Sequence, residues 1–367
     1  MDKKKSKNYN RIKLTLSISD SIINLVFVLV LLFCGFSVKM DHWISGLIGN
    51  EYLALFFFLF LLGILSSIIT FPVGFCKDYL LEHRYKLSNQ TIGQYFLEKA
   101  KGMMVVLPIL LVMMSIFYFV LKNRPESWWI IFGTVIVFFS VLLSRLAPTL
   151  IFPLFYKFSE LDNSDLREKI ENLCNQTGMN LEGVFRFDMS KNTQKANAAF
   201  TGIGKSKRII LGDTLLGTLE DDEILAVLAH ELGHFKRKHI WKGMFVGVLL
   251  NYLGLFLVDE IYTEYFLNFG PEKHSLAALP LIALLLSIFG MITGPLTNIL
   301  SRKHEREADA FAAKFMQSPG PLISGLNKLS RQNLGDDDPH PVVEFLFYSH
   351  PSTRKRIERL SAFGLID

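Results

Sequence analysis

The chain has 367 residues, half of them hydrophobic and 32 of them Phe, and its mean hydropathy is +0.31. Only 20% are charged and the net charge is +5; this excludes an ordinary soluble globule and gives no argument for a nucleic acid partner. The three cysteines, Cys34, Cys76 and Cys174, make no CxxC pair and are odd in number. Neither a disulfide framework nor a thiolate zinc site is indicated, and they read as small buried hydrophobes.

Six uncharged apolar stretches are candidates to cross a bilayer, at about 21–38, 52–75, 102–121, 127–147, 243–258 and 275–301. A crossing needs about 20 such residues. The first run follows a basic tail, but no A-x-A-like cleavage site comes after it, so it reads as a retained anchor. The fifth has only 16 uncharged residues, Gly243 to Val258, and Lys242 can snorkel to the interface. The sixth, Ser275 to Ser301, is its partner in a hairpin.

Positive charge is unevenly placed. Lys3, Lys4, Lys5, Lys7, Arg11 and Lys13 precede the first span, and Lys77, Arg84, Lys86, Lys99 and Lys101 fill the second loop. The first loop has Lys39, the third Lys122 and Arg124, and the fifth Lys273. The positive-inside rule then puts the N-terminus, the second loop, region 156–242 and the C-terminal tail in the cytoplasm. The expected organisation is a basic tail (1–20), a four-span membrane unit (21–155) and a second unit (156–367) interrupted by the hairpin at about 243–301.

Region 156–242 has soluble character. Leu161 to Gly178 reads as an amphipathic helix with Leu166, Ile170 and Leu173 on one face. Gly183 to Met189 and Arg208 to Leu211 read as short strands, with Asn197 to Gly202 as an edge strand. Thr218 is the expected N-cap of the next helix, with Asp221 closing a capping box. That helix runs through Ile224, Leu225 and Leu228 into His230.

His230-Glu231-Leu232-Gly233-His234 is an H-E-x-x-H pattern. Four residues apart on a helix is one face, so both imidazoles can hold one metal ion. Glu231 can then take a proton from water activated by that ion. The pattern can arise by chance, so the reading needs a third ligand. Glu305 and Asp309 are also four apart. Glu305 can complete a two-His, one-Glu zinc site with an open position. Asp309 can hydrogen-bond a ligand imidazole or act as a proton donor. Two proposed spans separate His234 from Glu305, and a hairpin that leaves and re-enters brings both ends to one side. His239 is off the ligand face and reads as a non-ligand at the membrane border, beside interfacial anchors Lys236, Arg237 and Lys238.

At these residues the sequence resembles the zinc-dependent CAAX prenyl proteases, the kind that matures yeast a-factor and prelamin A. Glu82 to Thr91, Pro148 to Phe155, Asn197 to Gly202, Ser301-Arg302 with Ala308 to Phe311, and Ser349-His350-Pro351 with Arg356 resemble that family's motifs in order, over roughly residues 50 to 360. The resemblance implies a mainly α membrane protein: about six transmembrane helices enclosing a chamber, with a cytoplasmic gluzincin-like peptidase domain containing a small β-sheet. It implies one Zn2+ per chain on His230, His234 and Glu305, and Glu231 as general base. Asn197, with Ala198, Ala199 and Phe200, would hold the substrate backbone, and His350 and Arg356 would line the cleft near the scissile carbonyl.

The implied activity is hydrolysis of C-terminal CAAX peptides. The partners expected are a peptide or protein substrate, lipidated or membrane-bound ones included, and membrane lipids. The host membrane is a bacterial inner membrane or the endoplasmic reticulum. The alternatives are a quality-control zinc protease for membrane proteins, and a transporter or structural membrane protein with a vestigial site. One departure stands out: the eukaryotic members have an extra N-terminal span.

Overall fold

A computed structural model describes residues 3–179, 181–201, 207–266 and 271–363 of the protein. Six helices in it are long and apolar enough to cross a membrane. They are α1 (Lys3–Phe33), α3 (Glu51–Arg84), α4 (Ile92–Asn123), α5 (Trp128–Phe155), α8 (His239–Phe266) and α9 (Leu276–Phe315), with a short helix α2 (Phe36–Leu47) after the first. Each is longer than its uncharged stretch because charged residues at the ends extend the helix beyond the apolar core. The basic segment before residue 21 is the first part of α1. The 16-residue fifth stretch lies inside a 28-residue helix.

Between the fourth and fifth spans lies a four-stranded sheet, β1 (Phe158–Glu160), β2 (Gly183–Phe187), β3 (Ala198–Thr201) and β4 (Arg208–Gly212), in the order β1-β2-β4-β3. β3 runs antiparallel to β4 and is an edge strand. The Gly202 end of its motif lies outside the described residues. The helix α6 (Ser164–Gln176) starts at Asn163, which accepts from Leu166 N at 3.0 Å. It buries Leu166, Ile170 and Leu173 against Ile209 and Leu211 of β4 and Leu228 and Leu232 of α7 (Asp221–Lys236). Each such side chain contributes about 1.5–3 kcal/mol by leaving water. The expected Thr218 cap is not used. Glu220 and Glu223 form the capping box of α7 instead, and the Thr218 hydroxyl donates to Thr214 O.

Three helices complete the chain: α10 (Gly320–Gln332), α11 (Pro341–Phe347) and α12 (Thr353–Phe363). The hairpin α8–α9 is tightly packed at its middle. A Cβ on Gly254 would stand 2.8 Å from the Phe289 ring, the kind of small-residue contact on which membrane helices depend. At the end of the spans away from the sheet, Trp128 Nε1 donates to Asp259 Oδ1 at 2.6 Å and Lys273 pairs with the same carboxylate. This joins α5, α8 and the loop before α9. The expectation that all three cysteines are buried fails at Cys34, which is exposed in the turn after α1, and holds only in part at Cys76, which is half-buried. Cys174 is buried, and its thiol is pushed up to about 12 by burial.

The capping box also fastens the start of α7 to α10. The buried Glu223 carboxylate accepts from Ser324 Oγ at 2.6 Å and from Lys328 Nζ at 2.7 Å, as well as from Glu220 N at 2.8 Å. Glu223→Ala strands these donors and is expected to destabilise the protein by about 1–3 kcal/mol. A lowered thermal midpoint of the detergent-solubilised chain checks this.

Candidate metal centre

The centre forms where α7 crosses the far end of α9. The packing there leaves no room for a side chain: a Cβ on Gly233 would lie 2.9 Å from Ala308 Cα and 3.1 Å from its carbonyl oxygen. The two backbones therefore touch. Ala308 sits between Glu305 and Asp309 in sequence, and Gly233 adjoins His234, so this contact brings the two i, i+4 pairs face to face. On the same side Ala226 and Ala229 pack on Ala312.

The donor atoms make a small triangle. His230 Nε2 and His234 Nε2 are 3.2 Å apart. One Glu305 oxygen is 3.4 Å from His230 Nε2, and the other is 3.2 Å from His234 Nε2. A tetrahedral zinc ion with bonds of about 2.0–2.1 Å has donors about 3.3–3.4 Å apart, so the spacing and the donor set both suit such an ion. Among the described residues these three form the one group of His, Cys, Asp and Glu side chains gathered closely enough to hold a metal. Burial opposes charge on His230, but hydrogen bonds with Asp309 and Glu305 outweigh it and push the imidazole up to about 9. The surroundings of His230 thus favour a cation, and a dication that takes up the donors displaces any proton on them.

Each ligand imidazole is held from behind. His230 Nδ1 lies 2.8 Å from Asp309 Oδ1. Asp309 is in turn gripped by Arg356, whose Nε and Nη2 donate at 2.9 and 2.6 Å. His234 Nδ1 lies 3.0 Å from Nδ1 of His239. His350 Nδ1 is 3.0 Å from Glu305, and its side chain is 62% exposed. Arg302 fixes the segment before His350 by donating to the carbonyls of Glu344 and Tyr348 at 3.0 and 2.6 Å.

A cleft of about 330 Å³ runs past Glu231, Glu305, His350, Asn197 and Ala198. Asn197 is exposed at the cleft, and its carbonyl accepts from Gly212 N at 2.9 Å. Ala198 and Asn197 therefore join the expected site. Ala199 and Phe200 lie further along β3, opposite Ile210 and Ile209, and the Phe200 ring packs against the sheet's core.

Other polar contacts around the centre have no local pattern in the sequence. One is at His239, which its five-residue offset from His234 marks as a non-ligand and which nevertheless meets His234. Another is at Asn333: its amide donates to Ala196 O at 3.2 Å and accepts from Ala196 N at 2.9 Å, pinning the start of β3. Glu82, near the end of α3, receives Tyr9 OH at 2.6 Å and Lys195 Nζ at 2.7 Å, tying α1 and α3 to the segment before β3. No local pattern announces such long-range polar contacts.

A two-His, one-Glu donor set on crossed helices, with a carboxylate beside it and an edge strand along the cleft, defines a membrane-embedded metallopeptidase. Comparison with known proteins agrees. The profile of peptidase family M48 matches residues 160–363, and that of the CAAX prenyl protease N-terminal region, described as five membrane helices, matches residues 2–157. Four span-length helices lie in that stretch among the described residues. The chain is 30% identical to CAAX prenyl protease 1 of Saccharomyces cerevisiae over 97% of this chain and 85% of the relative. It is 31% identical to the uncharacterized metalloprotease YhfN of Bacillus subtilis, over 90% and 78%. The crystal structure of S. mikatae Ste24p superposes with a TM-score of 0.88 at 28% identity, covering 97% of this chain and 88% of that one. The chain belongs to peptidase family M48, and it is an integral, multi-pass membrane metallopeptidase.

Because α7 and α9 meet backbone to backbone at Gly233, even one methyl group must separate them. Gly233→Ala is expected to cost about 1–3 kcal/mol of stability and to lower the metal retained per chain after dialysis against a chelator. Metal analysis beside the wild type checks it.

Proposed function

We propose that this protein is a zinc endopeptidase that removes the C-terminal peptide of CAAX-type, prenylated proteins. The observation that carries the chemistry is the donor triangle of His230, His234 and Glu305 opening onto a cleft with Glu231 beside it. Two relatives support the substrate: the yeast protein named CAAX prenyl protease 1 and its human homolog, 30% identical over 83% of this chain. The two family matches meet between residues 157 and 160, which supports dividing the chain into a four-span unit and a peptidase unit interrupted by the α8–α9 hairpin. The basic loops favour a catalytic side facing the cytoplasm, in either a bacterial membrane or the endoplasmic reticulum.

His230 and His234 present Nε2, and Glu305 its carboxylate, to one zinc ion. Zinc, when bound, supplies Lewis acidity to the attacking water and to the scissile carbonyl. Glu231 accepts the proton of that water and later passes it to the leaving amine. The substrate backbone lies along the free edge of β3 as an added strand, with Asn197 holding it beside the cleft. Asp309 orients His230 rather than donating a proton, because both its oxygens are committed to Arg356 and one also meets His230 Nδ1. That commitment of Arg356 leaves His350 as the better placed donor to the developing oxyanion.

Glu231→Gln keeps the shape of the side chain but removes the base. It should bind zinc like the wild type and lose cleavage of a prenylated C-terminal peptide by a factor of about 100 or more. Mass spectrometry of the peptide, with metal analysis on the same preparation, is the check; cleavage at the wild-type rate rules the mechanism out. Cleavage of a misfolded membrane protein but not of the prenylated peptide would keep the chemistry and replace the substrate by that of a quality-control protease.

A further inference from the structure

In the proposed site His234 meets the metal through Nε2, which leaves its Nδ1 to be accounted for. That nitrogen is 3.0 Å from Nδ1 of His239. On the other side of the His239 ring, Nε2 is 3.0 Å from Glu307 Oε2. His239 is 4% exposed. Its ring lies flat against His304, with centroids 4.1 Å apart and planes 10° apart. It is brought there by Lys238, a left-handed residue (φ 55°) at the corner between α7 and α8. The left-handed region is uncommon for a residue other than glycine, and this turn folds the start of α8 back over His234.

The protons in this chain of groups have one consistent arrangement. An imidazole that offers Nε2 to a metal carries its hydrogen on Nδ1. His234 Nδ1–H then donates, so His239 Nδ1 accepts. A neutral imidazole that accepts at Nδ1 carries its hydrogen at Nε2. There it meets Glu307, whose ionised carboxylate only accepts. The other ligand, His230, has the same backing with one fewer link, directly from Asp309.

We propose that His239, held by Glu307, is the positioning residue for the metal ligand His234. It fixes the tautomer and ring plane in which His234 Nε2 faces the ion. The inference rests on His230, His234 and Glu305 being a zinc site.

The test is zinc affinity of the full chain in detergent, read by competition with a chromogenic chelator, together with the visible spectrum of the Co2+-substituted protein. His239→Leu removes the acceptor, and zinc should bind about 10–100-fold more weakly. His239→Asn also removes the ring and its stacking, but sets a carbonyl oxygen near the place of Nδ1. It should recover most of the affinity and the wild-type cobalt spectrum. Equal weakening by Leu and Asn means that only packing was lost, and overturns the proposal; so does wild-type affinity in both.

Should His239→Leu not fold, Glu307→Ala and Glu307→Gln ask the same question from the far end. Ala should weaken zinc binding and Gln, which keeps an acceptor oxygen, should restore it. No difference between these two variants overturns the proposal. Wild-type protein that binds no zinc in the same assay overturns the metal reading itself, so the two failures are told apart.

Discussion

The centre depends on one steric fact, the backbone contact between Gly233 of α7 and Ala308 of α9. Each helix turns one pair of side chains, one turn apart, toward the other: His230 and His234 on α7, Glu305 and Asp309 on α9. Neither pair can hold an ion alone, because two donors leave a metal half-coordinated. At ordinary helix separations of 8–10 Å, the long side chains of Glu305 and His234 could meet in many ways. With a Cβ excluded at Gly233, the axes come close enough for the donors to meet at 3.2–3.4 Å in one arrangement. The glycine of the H-E-x-x-H pattern is thus a geometric requirement of the third ligand.

The two-span hairpin is what brings that contact about. His234 and Glu305 lie on either side of a hairpin of two spans, and its packing at Gly254 and Phe289 sets the relative height of its ends. α9 does not stop at the bilayer surface. It continues as one helix from Leu276 to Phe315, so the register of the membrane segment is transmitted rigidly to Glu305 and Asp309. The other end of the hairpin is pinned by Asp259 with Trp128 and Lys273. Rigid helices rather than loops place the ligands, and a metal site needs that rigidity to hold its donors in place.

What could be read in advance follows from the range of each interaction. The spans were legible because twenty apolar residues have few other uses. The H-E-x-x-H helix and the Glu305–Asp309 pair were legible because their spacing is set by the helix itself. Thr218 misled as a cap because hydroxyl residues are favoured at that position, yet Glu220 with Glu223 makes the same reciprocal pair. Apolar stretches understate helix length wherever Lys, Glu or Asp continue a helix into water. Helical periodicity puts His239 off the ligand face, an argument that fails once Lys238 adopts φ > 0 and the chain leaves the helix. Asn333 at Ala196 and Tyr9 at Glu82 bridge 137 and 73 residues, and only the folded chain pairs them.

Charge balance distinguishes the two buried carboxylates of the centre. Glu305 and Asp309 are 4% and 6% exposed, and two unpaired anions so close together would be strongly unfavourable. Arg356 meets Asp309 with two hydrogen bonds, the geometry in which a guanidinium best neutralises a carboxylate. It reaches Glu305 with a single nitrogen at 3.7 Å. Around Glu305 stand His230, His234 and His350, at 3.0–3.4 Å, and these offset its charge only when protonated. A dication in the donor triangle removes that condition, since it balances Glu305 while both ligand imidazoles are neutral. Burying Glu305 and binding the metal are therefore one requirement. Arg356 serves it indirectly: by holding Asp309 as an anion, it keeps the hydrogen of His230 on Nδ1 and leaves Nε2 for the ion.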